Sequence, residues 1–206
     1  MPLTAIAINC SLRKSSGDPS STDVMIKLIG DALAKHDVRL SETIRIADFN
    51  VAPGVSSDEG EGDEWPKLRE KILAADILVF GTPIWMGQPS SIAKRVCERM
   101  DAFLSETDDA GRMPSFGKVA VAAIVGNEDG AHRVTADLFQ ALNDVGWTIP
   151  SAGACYWVGE AMNKTDFKDL PAVPKVIGDT AEMLASNAAH LAGLLQGSAY
   201  PGMPKA

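Results

Sequence analysis

Three polar, glycine-bearing stretches carry residue types suited to holding an anionic, planar ligand. The first, SLRKSSGDPSST from Ser11 to Thr22, ends where a helix should begin. Hydroxyls of Ser11, Ser20, Ser21 and Thr22, the first amides of that helix and the Arg13 guanidinium can converge there on one monophosphate. An ordinary solvated loop with one capping hydroxyl uses the same residue types. The second stretch, TPIWMGQPSS, runs from Thr82 to Ser91 and includes Ile84. Pro83, Gly87 and Pro89 restrict its backbone while Trp85 and Met86 offer flat or polarizable surface, a combination suited to covering an aromatic ring. Packing of Trp85 into the core or a subunit interface is the other reading of this loop. The third stretch, GNEDGAH, runs from Gly126 to His132. Its glycines let the backbone around Asn127, Glu128, Asp129 and Gly130 approach a ligand closely, so that amides can meet the polar edge of a ring. A tight turn followed by a helix cap is written with the same residues.

The elements that must position these loops follow from hydrophobic pattern. Residues 4–9 (TAIAIN) form an unbroken apolar run, as in a strand covered on both faces. Val24, Met25, Leu28, Ile29, Ala32 and Leu33 then recur at helical spacing, with Ser21 or Thr22 placed to cap. Residues 39–46 alternate, which predicts a half-exposed edge strand. The acidic, glycine-rich stretch 50–63 has no periodicity and is expected to be a mobile surface loop. Pro66 suits the first turn of a second helix carrying Leu68, Ile72 and Leu73. A third strand over 76–80 is expected to end at Gly81, Thr82 and Pro83. A third helical stripe follows at Ile92, Ala93, Val96, Cys97, Met100 and Phe103, then a strand over 118–125 and a helix over 131–145. A fifth strand near 148–154 and a last helix from about 174 to 195 complete the set.

Strands alternating with helices make an α/β protein with a parallel sheet, because each parallel crossover needs a helix to return the chain. An alternating second strand beside a fully apolar first one predicts a five-stranded sheet of order 2-1-3-4-5, in which ligands sit where the strand order reverses. One domain over residues 1–197 with a tail over 198–206, loose or used in assembly, is the expected organisation.

The chain has 206 residues and a formal net charge of −8, which argues against a broad surface for nucleic acid or anionic lipid. Cys10, Cys97 and Cys155 form no CxxC pair, which suits free thiols in a reducing compartment. The start, MPLTAIAINC, has no leader pattern and no run is long enough to span a bilayer, so a soluble, cytoplasmic protein is expected. Other motifs fail. GRMPSFGKV from Gly111 to Val119 has the wrong spacing for a phosphate loop and precedes its strand, and GQPSS is no nucleophile elbow. His36, His132 and His190 form no metal cluster, and Cys97 sits on an apolar helix stripe as a core residue.

Taken in order, INCSLRKSSGDPSST, GTPIWMGQPSSIAKRVCER, VGNEDGAH and GWTIPSAGACYWVGEAM resemble the flavodoxin-like NAD(P)H-dependent FMN oxidoreductases, the group that includes FMN reductases and quinone reductases. The resemblance covers most of the chain to about residue 162. It implies a flavodoxin-like three-layer sandwich in which Ser11, Arg13, Ser20, Ser21 and Thr22 hold the FMN phosphate. It implies that Thr82, Pro83, Ile84, Trp85, Met86 and Gly87 border the isoalloxazine, and that Asn127, Glu128, Asp129 and Gly130 meet its polar edge or the ribityl chain, with His132 and Trp157 close by. Cys10 stands where the family usually has glycine, and the 50–63 loop lacks the cysteine cluster of iron–sulfur members. The reaction implied is hydride transfer from NADPH or NADH through FMN to a quinone, flavin or other small acceptor, in a homodimer or homotetramer with no nucleic-acid or membrane partner. A flavodoxin-type one-electron carrier is the competing function, although the Thr/Ser-x-Thr-Gly-x-Thr loop of flavodoxins is absent. A flavodoxin-fold module without FMN is a third.

Overall fold

A computed structural model of the chain describes residues 2–15, 17–198 and 200–203. Five strands run parallel: β1 (Leu3–Asn9), β2 (Val38–Arg45), β3 (Ile77–Trp85), β5 (Val119–Gly126) and β6 (Ala154–Val158). Their order across the sheet is β2-β1-β3-β5-β6, and a short β4 (Gln88–Pro89) folds back antiparallel on β3. With the hairpin piece β4 left out, this is the 2-1-3-4-5 order of flavodoxin-like sheets. The helices are α1 (Ser21–Ala34), α2 (Trp65–Ala74), α3 (Ser91–Met100), α4 (Ala131–Asp144) and α5 (Lys175–Gly197).

The two-residue period of β1 sorts its side chains between two cores. Ile6 and Ile8 pack with α2, α3 and α4, whereas Ala5 and Ala7 pack with α1 and α5. Because both faces are covered, β1, β3 and β5 read as continuous apolar runs rather than alternating ones. The half-exposed β2 is an edge strand, paired with β1 alone.

Four expectations need adjustment. The third strand does not stop at Gly81–Pro83 but continues to Trp85. Gly81 directs its carbonyl toward the β1 side, where it accepts the Cys10 N–H at 2.8 Å. Pro83, two residues on, faces the same side beyond the last β1 pair, so its missing N–H breaks no ladder bond. The fifth strand spans 154–158 rather than 148–154: Thr148 makes only an isolated bridge to Val119. A turn through Pro150 and Ala152, which has φ 54, then offsets the chain before Ala154 joins the ladder.

The 50–63 loop is stitched down rather than loose. Arg99 reaches into it from α3 and donates to the carbonyls of Ser56 and Ala52, each at 2.9 Å, and to Asp63 at 2.7 Å. Both charged side chains are sealed, Arg99 at 0% exposure and Asp63 at 1%. In the tail, Tyr200 packs edge-on against Phe116 and hydrogen-bonds Thr148, whereas residues 199 and 204–206 lie outside the described residues.

Candidate active site at the carboxyl edge of the sheet

The strand order reverses between β1 and β3, and the loops that follow β1, β3, β5 and β6 all open at the same edge of the sheet. Asn9, the last residue of β1 and fully buried, organises the first loop. Its side-chain oxygen accepts from the Ser11 N–H at 2.9 Å and the Ser11 hydroxyl at 2.7 Å. Its amide donates to Ser20 Oγ at 3.3 Å and to Asp23 at 2.5 Å. Ser11 Oγ and Ser20 Oγ stand 3.2 Å apart, so two hydroxyls meet at the start of α1. Ser20, rather than the expected Ser21 or Thr22, is the N-cap of α1: its Oγ accepts from the Asp23 N–H at 3.2 Å, and the Asp23 carboxylate accepts from the Ser20 N–H at 2.7 Å. This capping box uses two of the donors that a helix start leaves open.

The outer rim of the loop is held from the end of β2. Arg45 pairs with Asp23 and donates to the Arg13 carbonyl at 3.0 Å, while Asp48 accepts from the N–H and hydroxyl of Ser15. Those Ser15 bonds hold the Asp48 carboxyl below its usual range. Arg13 is exposed, and its guanidinium has no partner among the described residues. Ser21 Oγ accepts from the Lys168 N–H at 3.3 Å. Thr22 is buried, with its methyl facing Gly81, where an added Cβ would lie only 2.8 Å away. Ser11 and Ser20 are therefore brought together, Arg13 and Ser21 stand at the rim, and Thr22 turns its side chain inward.

The second loop is a hairpin. Trp85 pairs with Gln88 across Met86 and Gly87, whose φ values of 52 and 72 give the turn two left-handed residues. Glycine adopts this backbone readily; methionine does so at a cost in strain. The turn is latched from the third loop, where Glu128 accepts the Met86 N–H at 2.6 Å. Gly130, at φ 119, lies so close that an added Cβ would come within 2.7 Å of Gly87 Cα. Trp85 is 54% exposed and Met86 89%, so neither packs into the core of this chain. Ile84 is buried beneath them and Pro83 is half-buried. Thr82 accepts the Ser90 N–H at 3.1 Å, and the Ser90 hydroxyl donates to the Cys10 carbonyl at 2.6 Å, which ties the second loop to the first.

In the third loop, the Asn127 amide donates to Asp166 at 2.6 Å, while its buried Oδ1 has no partner among the described residues. Asp129 is exposed. His132 Nε2 lies 2.9 Å from the Tyr156 hydroxyl, against which the imidazole also packs edge-on. Trp157 is half-buried against Phe167 on the α1/α5 side of the sheet, so it flanks the loops rather than covering them. Exposed Leu12, Val158 and Met162 extend the apolar surface of this edge beyond Trp85 and Met86.

The three thiols are free, with Cys10 and Cys155 buried and Cys97 partly so. Burial, aided by the neighbouring Cys97, pushes the Cys10 thiol well above its ordinary value. Burial likewise pushes Cys97 and Cys155 up to about 12. Sequence reasoning missed Asn9, Arg45, Ser90 and Asp166. Asn9 reads only as part of an apolar strand, Ser90 lies within the second stretch at a helix start without an assigned role, and nothing local marks Arg45 or Asp166. No group of His, Cys, Asp or Glu able to hold a metal ion occurs among the described residues, and no described helix is long and apolar enough to cross a membrane.

The family model for NADPH-dependent FMN reductase matches residues 3–161. The chain is 30% identical over 214 positions to 8-demethyl-8-aminoriboflavin-5'-phosphate synthase of Streptomyces davaonensis, an alignment covering 97% of this chain and 81% of that protein. It is 37% identical over 163 residues, or 77% of its own length, to a Mycobacterium bovis protein named divalent metal cation transporter MntH, but spans only 24% of that protein. Among solved structures, RosB with bound 8-demethyl-8-formylriboflavin-5'-phosphate gives a TM-score of 0.84 at 30% identity, covering 97% of this chain and 82% of RosB.

Proposed function

The chain belongs to the NADPH-dependent FMN reductase family, and from that premise we propose that it is an FMN-dependent oxidoreductase. In this reading it takes hydride from NADPH or NADH at bound FMN and passes electrons to a quinone, a free flavin or another small acceptor. The observation that carries the reading is the coupling of three loops at one sheet edge. A hydroxyl-lined helix start is joined through Ser90 to the Trp85–Met86–Gly87 turn, and that turn is latched by Glu128 to the third loop. The donor set fits FMN. Ser11, Ser20, Ser21, the Arg13 guanidinium and the N–H of Thr22 suit the phosphate, since a helix N-terminus with nearby hydroxyls attracts an oxyanion. The Trp85 ring and the exposed Met86 suit the face of a planar ring. The unpaired Asn127 Oδ1 and the backbone of Glu128, Asp129 and Gly130 suit its polar edge.

When bound, FMN supplies the hydride chemistry, and the protein's part is to bind, orient and exclude water. Ser11 and Ser20 fix the phosphate end, while the latched turn sets the backbone against which the ring would lie. His132 and Trp157 border the site from opposite faces of the sheet. Exposed Leu12, Trp85, Met86, Val158 and Met162 support a homodimer or homotetramer that covers this edge, and three free thiols support a reducing cytoplasm.

Anaerobic titration of the FMN-loaded protein with NADPH and then NADH tests the reading. Rapid loss of flavin absorbance is the expected result. A colour that persists with both nicotinamides would leave an electron carrier instead. The near full-length match to a synthase acting on a flavin phosphate favours one second reading, in which the flavin phosphate is substrate rather than cofactor. Mass analysis of flavin released after aerobic incubation separates the two: unchanged FMN supports the cofactor role, and an altered flavin supports the synthase-like one.

A further inference from the structure

Arg45 ends β2 beneath the first loop, with its side chain only 10% exposed. One Nη pairs with the Asp23 carboxylate, the other donates to the Arg13 carbonyl at 3.0 Å, and the buried Nε has no partner among the described residues. A guanidinium keeps its charge and offers five N–H donors, so a buried one with an unused donor is a costly choice for a purely structural pin.

The carboxylate it meets sits where the proposed anionic ligand would also be drawn. Asp23 stands in the first turn of α1, where backbone amides otherwise favour an anion. Burial acts to raise its pKa, but hydrogen bonds from the Ser20 N–H and hydroxyl, the Arg45 charge and the Asn9 amide together hold it below the ordinary carboxylate range. A fixed negative charge therefore occupies the same helix start that is to receive a phosphate dianion. Left alone, it would repel that dianion across a few ångströms of partly desolvated space.

We propose that Arg45 is the positioning cation of the phosphate site: it cancels Asp23, holds the first loop through the Arg13 carbonyl, and thereby sets the preference for a phosphorylated over an unphosphorylated flavin. The proposal rests on the FMN reading above. Arg45 does not act as a capping group, since the capping box of α1 is complete with Ser20 and Asp23 alone. Its role is to make an acid at N3 compatible with an anionic ligand beside it.

The test is a flavin-fluorescence titration of the full chain with FMN and with riboflavin, for wild type, R45Q, R45K and the double variant R45Q/D23N. If wild type binds both flavins equally, the FMN-phosphate reading itself fails, whatever Arg45 does. Given a wild-type preference for FMN, R45Q should raise the FMN Kd by about tenfold or more and leave riboflavin unchanged, as loss of a charge-assisted contribution would. R45Q/D23N should recover most of that loss because the unpaired acid is gone, and R45K should fall between. An unchanged FMN-to-riboflavin ratio in R45Q, or equal weakening of both with nothing recovered in the double variant, overturns the proposal. Should R45Q not fold, R45K and D23N decide it: D23N weakening FMN selectively would also overturn it.

Discussion

Replacing Asp63 by asparagine removes the carboxylate paired with the buried Arg99 guanidinium. That carboxylate accepts four hydrogen bonds: Arg99 and the Glu59 N–H on Oδ2 at 2.7 and 3.0 Å, and the Trp65 and Ala52 N–H groups on Oδ1 at 3.1 and 3.2 Å. However an asparagine amide is turned, its NH2 must face two of these donors, so the substitution loses the charge and half of the acceptor geometry. Removing one partner of a buried pair costs about 3–5 kcal/mol, chiefly because the other charge stays buried. Against a total stability of about 5–15 kcal/mol this is a large fraction, and for a chain of this size it lowers Tm on the order of 10 °C. Urea unfolding at pH 7 should show the loss directly. The pH dependence follows from the Asp63 pKa, which burial acts to raise but Arg99 and the backbone N–H groups hold well below the usual range. Because the folded value is depressed, the stabilisation is fully present above the unfolded pKa of about 3.9 and is lost as pH falls below it. The gap between wild type and Asp63→Asn should therefore narrow by about 1.4 kcal/mol per pH unit below about pH 4. A gap under 1 kcal/mol at pH 7, or one that stays constant down to pH 3, would refute the reasoning. The double variant Asp63→Leu/Arg99→Met should not recover the loss: it removes both charges but leaves the N–H groups of Ala52, Glu59 and Trp65 and the carbonyls of Ala52 and Ser56 without their partners.

Three further outcomes rest on other parts of the structure. Gly130→Ala places a Cβ 2.7 Å from Gly87 Cα at a φ of 119, which should cost about 1–3 kcal/mol and weaken FMN by displacing the turn. By contrast Gly193→Ala, in α5 with nothing within 4 Å, should stabilise by about 0.5–1 kcal/mol in the same urea assay. The thiols should resist a disulfide-exchange reagent at pH 8 in the folded protein and all react on unfolding, because burial holds Cys97 and Cys155 near 12 and Cys10 well above its usual value. Rapid labelling of Cys10 in the native state would show that β1's end opens.

The parts of the fold legible in the sequence were those written as repeating residue types. Apolar runs located β1, β3 and β5 because both faces of each are covered. The helical stripe at Met25, Ile29, Ala32 and Leu33 marked the buried face of α1. The errors fall where periodicity is broken by geometry. TIPSAGACYW is apolar on either side of its turn, so pattern alone cannot say which half joins the ladder, and the half after Gly153 does. Gly81 and Pro83 have the composition of a strand end, yet β1 has already left the ladder where the Pro83 N–H would be missed. Arg99 shares the buried face of α3 with Val96 and Met100, but a charged residue scores against burial in any hydrophobic pattern.

The site divides along the same line, for a chemical reason. Its loops could be placed from the sequence because each polar, glycine-bearing stretch directly follows an apolar run, and so lies at a strand end. The contacts that hold them mostly pair a side chain with a distant backbone group: Glu128 with the Met86 N–H, Ser90 with the Cys10 carbonyl, and Arg45 with the Arg13 carbonyl. Any residue supplies a backbone N–H or C=O, so the partner leaves no trace in the sequence, and only the polar half of each contact can be seen. These contacts also use no ligand. The turn at Met86–Gly87 is held in its left-handed conformation by Glu128 and by the close approach of Gly130, so its strain is borne by the framework. In the proposed role a flavin would meet loops already ordered against one another, so less of its binding energy would go into arranging them.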